Sequence, residues 1–293
     1  IADPCYYCPD EEEPTGGSGG YPIPLREIII TTPPKSTPPS FPPMTFIPRG
    51  PAYGAVDPPE YTNPPRGGGG GGSSSIGNTE NPCDTAKSTT ANAKSPAYIS
   101  AKSNIIKASA DGLEHSITLG KDANGNITQA PMSNGSSEKV KVNTTWAGAF
   151  GAMHNHPNQT PVSGGDIYAA VTLNTGNSNF TTSFILTKGE TYAIVVTDLA
   201  AAQVFTASYP ADISPIYPPE FPEFIFDQIS FIRSKLGESN EVRTMAIASV
   251  LDKYNAGITL MRQDSDGQFN PIKVQETTQP DGTKTYTKIP CNK

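Results

Sequence analysis

The sequence predicts an α/β or α+β fold with one central sheet flanked by helices, preceded by an extended tail rich in proline and glycine. Segments of strand character and segments of helical spacing alternate from position 83 onward, as in domains built around one sheet. Before that point, residues 1–82 hold 18 of the 30 prolines and 13 of the 27 glycines. We therefore expect a tail over residues 1–82 and one globular domain over residues 83–293.

The tail cannot bury enough apolar surface to form a core of its own. Its acidic start and the glycine-rich stretch 64–75 have the composition of linkers. The stretch 25–48 differs, because a β-branched run over 28–32 is followed by proline pairs that favour extended backbone. Such a segment suits docking along a groove or addition to the edge of a sheet. We therefore expect residues 1–66 to contact a protein partner.

The domain opens with sequence rich in Ala, Lys and Ser, which predicts one or two helices broken near Pro96. A β-hairpin is predicted over 113–132, where Asn-Gly supplies the turn. The stretch 139–157 then adds a strand, 164–176 forms a helix, and 180–198 forms a second hairpin. These elements supply the central sheet and its first helical covers.

The last part of the domain predicts a helical pair followed by short strands. The two helices span roughly 220–237 and 239–256, and the first carries apolar side chains at helical spacing, namely Phe224, Ile225, Ile229 and Ile232. The remaining sequence, 258–290, alternates short strand-like runs with Asp-Gly turns. We expect these C-terminal strands to complete the domain.

Two of the four cysteines lie near the N-terminus, and the other two lie at the ends of the predicted domain. Cys83 and Cys291 flank the domain, so a disulfide between them would tie its ends together and would suit an oxidising compartment. Two free thiols are the alternative. Cys5 and Cys8 form a C-x-x-C without the βαβ context of redox proteins. They predict a local disulfide or a lipid anchor near an exported N-terminus.

Composition excludes several classes of partner. The net charge of -7 argues against nucleic acid, because phosphate binding needs a basic surface. No run of 18 apolar residues is present, so no transmembrane segment is predicted. Abundant Asn, Thr, Ser and Gly with few charges resemble exported proteins of the Bacteroidota type, including surface lipoproteins. We therefore expect an exported protein, located at the cell surface, associated with the outer membrane or extracellular.

Two of the three histidines fall in the stretch HNHPNQTPVSGGD, residues 154–166. Because side chains alternate across a strand, His154 and His156 at a predicted strand end point to the same side and can bind one ion. Asp166 supplies a third ligand if the intervening loop folds back. Zinc prefers imidazole nitrogens and carboxylate oxygens, and three protein ligands leave one position for water. The zinc ion lowers the pKa of that water to about 7.

The pattern H-x-H-P, a short loop and then S-x-x-D resembles the JAMM (JAB1/MPN/Mov34) metallopeptidase family. The resemblance implies a JAMM- or cytidine-deaminase-like fold with a central sheet flanked by helices. It implies that Zn2+ is bound by His154, His156 and Asp166. It also implies that Ser163 donates a hydrogen bond to the tetrahedral intermediate of the reaction.

The general base of that family is a glutamate upstream of the histidines. Glu114, on a predicted strand, matches it in order and setting, and Glu138 is the alternative. The loop between His156 and Ser163 has six residues, whereas the family usually has seven, so the return of Asp166 to the histidines stays open. Ser-x-x-Asp is also a capping-box pattern that predicts a helix start. The two roles are compatible, because the first turn of a helix can carry a ligand.

The sequence therefore predicts an exported, zinc metallopeptidase-like protein that hydrolyses a peptide or isopeptide bond in a protein or peptide substrate. The alternative is a non-catalytic surface binding or assembly subunit, in which the domain is a scaffold and the tail wraps a partner. A toxin or phage-associated domain is a third interpretation.

Overall fold

A central mixed sheet with helices on both faces forms the body of the protein, which confirms the predicted fold class. The structure is a computed structural model, and the residues that it describes are 28–31, 81–146, 148–187, 189–213 and 218–291. The strands are β1 Ile28–Thr31, β2 His115–Lys121, β3 Ile127–Gln129, β4 Ser133–Asn134, β5 Lys139–Val142, β6 Ala149–Asn155, β7 Thr182–Thr187, β8 Glu190–Val196, β9 Ile258–Gln263, β10 Phe269–Pro271, β11 Val274–Thr278 and β12 Lys284–Lys288. The helices are α1 Pro82–Ala93, α2 Pro96–Ala108, α3 Gly164–Gly176, α4 Leu199–Ser208, α5 Glu223–Leu236 and α6 Asn240–Lys253.

The main sheet has the strand order β10-β9-β8-β7-β6-β2-β3, and β4 also pairs with β2. β6 and β7 are parallel, while the other neighbours in this sheet are antiparallel. A parallel pair needs a crossover connection, and α3 provides it. The carboxyl end of β6 and the first turn of α3 therefore meet at one edge of the sheet.

The two faces of the sheet bury separate apolar clusters. On one face α1 and α2 pack on side chains that include Ile117, Met153, Phe184 and Val195. On the other face α3, α5 and α6 pack on a larger cluster that includes Ile167, Ile185, Ile194, Ile229, Ile247 and Leu260. Alternate residues of each strand serve alternate faces. Residues of β6 on the α3 side therefore lie beneath a helix, away from bulk water.

Local sequence features set most element boundaries. Helix α1 gives way to α2 at Pro96, and Ser95 caps the second helix by accepting a hydrogen bond from the Tyr98 N–H. The first hairpin turns at Gly125, which has a φ of 81°. The second hairpin and the helical pair also form where the sequence predicts them.

Two expectations need correction, and one helix lies where none was expected. The stretch 139–157 contains two strands, because the Asn143 side chain accepts a hydrogen bond from the Thr145 N–H and turns the chain between β5 and β6. Helix α4 was not predicted, since only Ala202 and Phe205 of that helix are buried and its apolar spacing is weak. Phe224 lies exposed beside Tyr209 rather than with the isoleucines of α5.

The ends of the domain are joined by the predicted disulfide between Cys83 and Cys291, which is confirmed. Within the tail, Ile28–Thr31 adds an antiparallel strand to β5, as the β-branched run suggested. The other features predicted for residues 1–66, including Cys5 and Cys8 and a partner for the tail, lie outside the described residues, as does the linker 64–75. Among the described residues, no helix combines the length and apolar character needed to cross a membrane.

Candidate metal centre

The three predicted ligands converge at the edge of the sheet where β6 ends and α3 begins. His154 is the penultimate residue of β6, and His156 follows that strand directly. Both project to the α3 side because they are two residues apart. Asp166 occupies the third helical position of α3. All three side chains are buried, with at most 3% of each residue exposed.

The loop between the ligands returns to the histidines despite its six residues. Its turn closes with a hydrogen bond of 3.0 Å from the Gln159 N–H to the His156 carbonyl. Gln159 adopts a left-handed φ of 61°, and its carbonyl accepts a hydrogen bond from the Asn240 amide on α6. This turn shortens the path, so a loop of this length brings Asp166 beside the histidines.

The side chain of Asp166 is oriented by a reciprocal helix cap. Ser163 Oγ accepts a hydrogen bond from the Asp166 N–H at 3.2 Å, and Asp166 Oδ2 accepts hydrogen bonds from Ser163 N at 2.8 Å and Ser163 Oγ at 2.7 Å. The predicted capping box is therefore present. Because Oδ2 is held by the cap, Oδ1 is the oxygen that faces the histidines.

The distances among the three ligand atoms match those around one small cation. His154 Nε2 lies 2.9 Å from His156 Nε2, and Asp166 Oδ1 lies 3.2 Å and 3.6 Å from the two nitrogens. Ligand atoms at about 2.0–2.1 Å from a tetrahedral ion are roughly 3.4 Å apart. The side chains therefore stand close to the spacing that a bound tetrahedral ion requires, and they form a possible metal-binding group.

Hydrogen bonding leaves the correct atom of His156 available to an ion. Its Nδ1 lies 3.0 Å from the Thr160 carbonyl oxygen, which can only accept a hydrogen bond. Nδ1 therefore carries the proton, and Nε2 of the neutral ring presents a lone pair. His154 Nδ1 is buried and has no hydrogen-bond partner among the described residues. The Thr160 carbonyl thus fixes the proton of His156 on Nδ1, which leaves Nε2 to face the other candidate ligands.

The electrostatics of the group favour an ionised carboxylate. Burial raises the pKa of Asp166, but the two imidazoles outweigh burial and hold its pKa well below the ordinary value. Burial also lowers the pKa of His154, which favours the neutral ring. For His156 the effect of burial is outweighed by Asp166 and then by Glu114, and its pKa is raised. The site therefore concentrates negative charge beside two imidazoles.

Glu114 directly precedes β2 and stands across from the histidines. The antiparallel register pairs Ser116 with His154 and Ile117 with Met153, so its continuation places Glu114 opposite His156 on the α3 side. Glu114 is fully buried, and its charge raises the pKa of His156. A second carboxylate therefore faces the same space as the candidate ligands.

The other sequence candidates lie elsewhere or serve a different contact. Glu138 is exposed in the turn before β5. His115 points to the opposite face, where its ring contacts Asn134 and Asp111. The hydroxyl of Ser163 donates a hydrogen bond to Asp166, so in this structure Ser163 orients a candidate ligand. Donation by Ser163 to a reacting group stays a prediction.

Two further residues near the centre were not predicted from the sequence. The Asn155 amide accepts a hydrogen bond from the His115 N–H at 2.7 Å and donates to the Leu113 carbonyl at 2.9 Å, so it fixes the backbone on both sides of Glu114. Its place between the two histidines marks it as a residue near the candidate ligands. That place does not predict the bridge to β2, because the bridge joins two residues that are 40 positions apart in the chain.

The second residue is Glu220, on the segment that precedes α5. A Cβ at Gly164, in the first turn of α3, would lie 3.1 Å from Glu220 Oε2, and the side chain of Arg243 interacts electrostatically with this carboxyl. Burial raises the pKa of Glu220 to about 7, although Arg243 opposes that rise. The half-buried carboxyl of Glu220 therefore lies next to the first turn of α3, which carries Asp166.

Comparison with known proteins assigns no family. No family model, no curated protein and no solved structure matches the chain. The resemblance to JAMM metallopeptidases therefore stays an expectation that rests on the residues of the motif.

Proposed function

We propose that the chain is a zinc-dependent hydrolase that cleaves a peptide or isopeptide bond in a protein substrate. One observation carries the proposal. The Nε2 atoms of His154 and His156 and Oδ1 of Asp166 converge at 2.9–3.6 Å, and Glu114, directly before β2, acts electrostatically on His156. Three convergent ligands with an adjacent carboxylate are the elements of a hydrolytic metal site.

The donor set favours zinc. Two neutral imidazoles and one carboxylate suit zinc, whereas calcium and magnesium prefer oxygen ligands throughout. Structural zinc sites use four protein ligands, while catalytic sites use three and keep one position open. In the described part of the chain the group has three members. When bound, zinc would polarise a carbonyl oxygen and lower the pKa of water to about 7.

Glu114 is the residue that we assign as general base. Hydrolysis joins the oxygen of water to the acyl carbon, breaks the carbon–nitrogen bond and moves one proton to the leaving amine. A buried carboxylate beside the ligands can take that proton from water and deliver it to the nitrogen. Asn155 holds the backbone around Glu114, and Ser163 holds the carboxylate of Asp166. Both are positioning residues in this proposal.

Export is part of the proposal. The disulfide between Cys83 and Cys291 is typical of oxidising compartments, so it supports a location outside the cytosol. A lipid anchor at Cys5 or Cys8 would retain the protein at a membrane surface. Protein substrates at the cell surface, in the outer membrane or outside the cell would then be accessible to the enzyme.

A second candidate is a non-catalytic binding subunit in which the ion is structural. The burial of all three ligands favours it, because a substrate cannot reach a covered centre without movement of the chain. The hydroxyl of Ser163, already bonded to Asp166, also fits a purely structural role. The donor set of three described residues and the adjacent Glu114 are the observations that favour the enzyme.

The first experiment measures the metal content of the purified protein, which distinguishes a metal site from a metal-free scaffold. Protein purified without added metal should contain about one zinc per chain, and His154→Ala should lose it. His115→Ala is the matched control, because that buried histidine lies on the opposite face of the sheet and should leave zinc unchanged. Zinc at background level in the unmodified protein would refute the proposal.

Catalysis is tested separately with Glu114→Gln, which keeps the shape of the side chain. We expect zinc binding to remain and hydrolysis of a peptide library to fall by 100-fold or more, since general bases contribute about 10²–10⁴-fold. Zinc binding without hydrolysis in the unmodified protein would favour the binding subunit. Equal turnover of the variant and the unmodified protein would remove Glu114 from the mechanism.

A further inference from the structure

The short sheet formed by β1 and β5 holds a segment of the tail against the domain. The register pairs Ile28 with Val142 and Ile30 with Val140. Among the described strands, β1 is the ladder partner of β5. The edge of β5 is therefore a strand-accepting surface, and its occupant in this structure is β1.

The hydrogen bonds around β5 show which of its residues face β1. The Lys139 carbonyl accepts from the Ser136 N–H, and the Lys141 carbonyl accepts from Ser116 Oγ, so both carbonyls point away from β1. Inward and outward backbone groups alternate along an antiparallel strand. Val140 and Val142 therefore direct their N–H and C=O groups to β1, and Ile30 is hydrogen-bonded to this edge.

The β1 segment runs toward the candidate metal centre. Its Thr31 end pairs with Lys139, and the adjoining Ser136 carbonyl accepts a hydrogen bond from the Glu114 N–H. The backbone of β1 also lies close to α3, whose first turn carries Asp166. The end of β1 is therefore directed to the side of the domain where Glu114 and Asp166 lie.

We propose that the β5 edge binds an extended polypeptide that leads to the metal centre, and that β1 is a built-in competitor for this edge. The buried ligands agree with a closed arrangement, since a substrate bond cannot approach them while the chain covers them. The β5 edge pairs with the backbone of Ile28–Thr31, and the sequence of that segment is β-branched throughout. The binding partner is thus an extended peptide rich in Val, Ile or Thr. That this peptide is also a substrate at the metal centre rests on the proposed hydrolase function.

The test compares two proline variants of the full-length chain. Proline removes the backbone N–H, so Ile30→Pro loses a hydrogen bond to β5. Ile29→Pro is the matched control, because the N–H of Ile29 points away from β5. The probe is a fluorescent peptide with the sequence LREIIITTPPK, residues 25–35. Fluorescence anisotropy measures its binding to each protein, and a scrambled peptide reports nonspecific binding.

We expect Ile30→Pro to bind the probe about tenfold more tightly than the unmodified protein. A factor of about ten corresponds to the loss of roughly one hydrogen bond between β1 and β5. Ile29→Pro should resemble the unmodified protein. Hydrogen exchange of residues 139–142 should rise in Ile30→Pro and fall again when the probe is added. If Ile30→Pro destabilises the domain, Ile28→Pro at the other ladder position replaces it.

Equal probe affinity in all proteins, with unchanged exchange at 139–142, would overturn the proposal. Neither readout depends on zinc or on hydrolysis, so they test the β5 edge even if the chain proves inactive. If the zinc-loaded protein is active, Ile30→Pro should also raise its kcat/KM toward a peptide substrate. Probe binding that rises while the kcat/KM of the active protein stays constant would show that the edge does not lead to the centre.

Discussion

Replacement of Ser163 by alanine tests whether the helix cap orients the candidate metal ligand. The substitution removes two buried contacts, the 2.7 Å hydrogen bond from Ser163 Oγ to Asp166 Oδ2 and the 3.2 Å bond that Oγ accepts from the Asp166 N–H. A lost N-cap costs about 1 kcal/mol, and a lost hydrogen bond to a charged group costs about 1.5–3 kcal/mol. We expect the free energy of unfolding to fall by roughly 3 kcal/mol in metal-free protein.

The same substitution should weaken zinc binding. Loss of a partner that orients a ligand typically reduces metal affinity by about 10–100-fold. Urea unfolding in the presence of a chelator measures stability, and competition with a chromophoric chelator measures zinc affinity. Ser239→Ala is the matched control, because Ser239 caps α6 through a bond of the same 3.2 Å from the Val242 N–H but lies at an exposed position.

The control variant should lose about 1 kcal/mol of stability and keep its zinc affinity. If Ser163→Ala also keeps its zinc affinity, the idea that this cap orients the ligand is refuted. A loss confined to kcat, at constant zinc affinity, would instead support the hydrogen bond to the reacting group that the JAMM resemblance implies.

Three further predictions concern stability and the backbone of the site. The double variant Cys83→Ser with Cys291→Ser should lower the free energy of unfolding by about 4–5 kcal/mol in urea, because the bond closes a separation of 208 residues; an unchanged midpoint would contradict this. Burial raises the pKa of Glu220 to about 7, so its contribution to stability is present below its unfolded pKa near 4.5 and is lost as the pH rises through 7. The unmodified protein should therefore lose stability, on the order of 2 kcal/mol, relative to Glu220→Gln between pH 4.5 and 8, and parallel curves would exclude the shift. Asn155→Ala leaves the buried His115 N–H without its acceptor and should cost about 2 kcal/mol and reduce any hydrolysis while zinc remains bound; loss of zinc would show that Asn155 supports the ligands instead.

The sequence determined those features that depend on neighbours in the chain. The spacing of His154 and His156 fixes their common direction through the geometry of a strand, and Ser163-x-x-Asp166 fixes a capped helix start. Pro96 and the Asn-Gly turn likewise set boundaries through local backbone preferences. For these features, the information lies within a few residues, so they could be predicted without the fold.

Tertiary structure alone decided the features that depend on distant segments. Whether Asp166 reaches the histidines depended on the left-handed turn at Gln159 and its anchor on α6. Glu114 rather than Glu138 faces the centre because the register of β2 against β6 selects it, and a register joins segments about 40 residues apart. The weak apolar pattern of α4 and the place of β1 beside β5 were likewise set by packing. Local sequence specifies which groups can bind a metal, while strand pairing determines which of them meet.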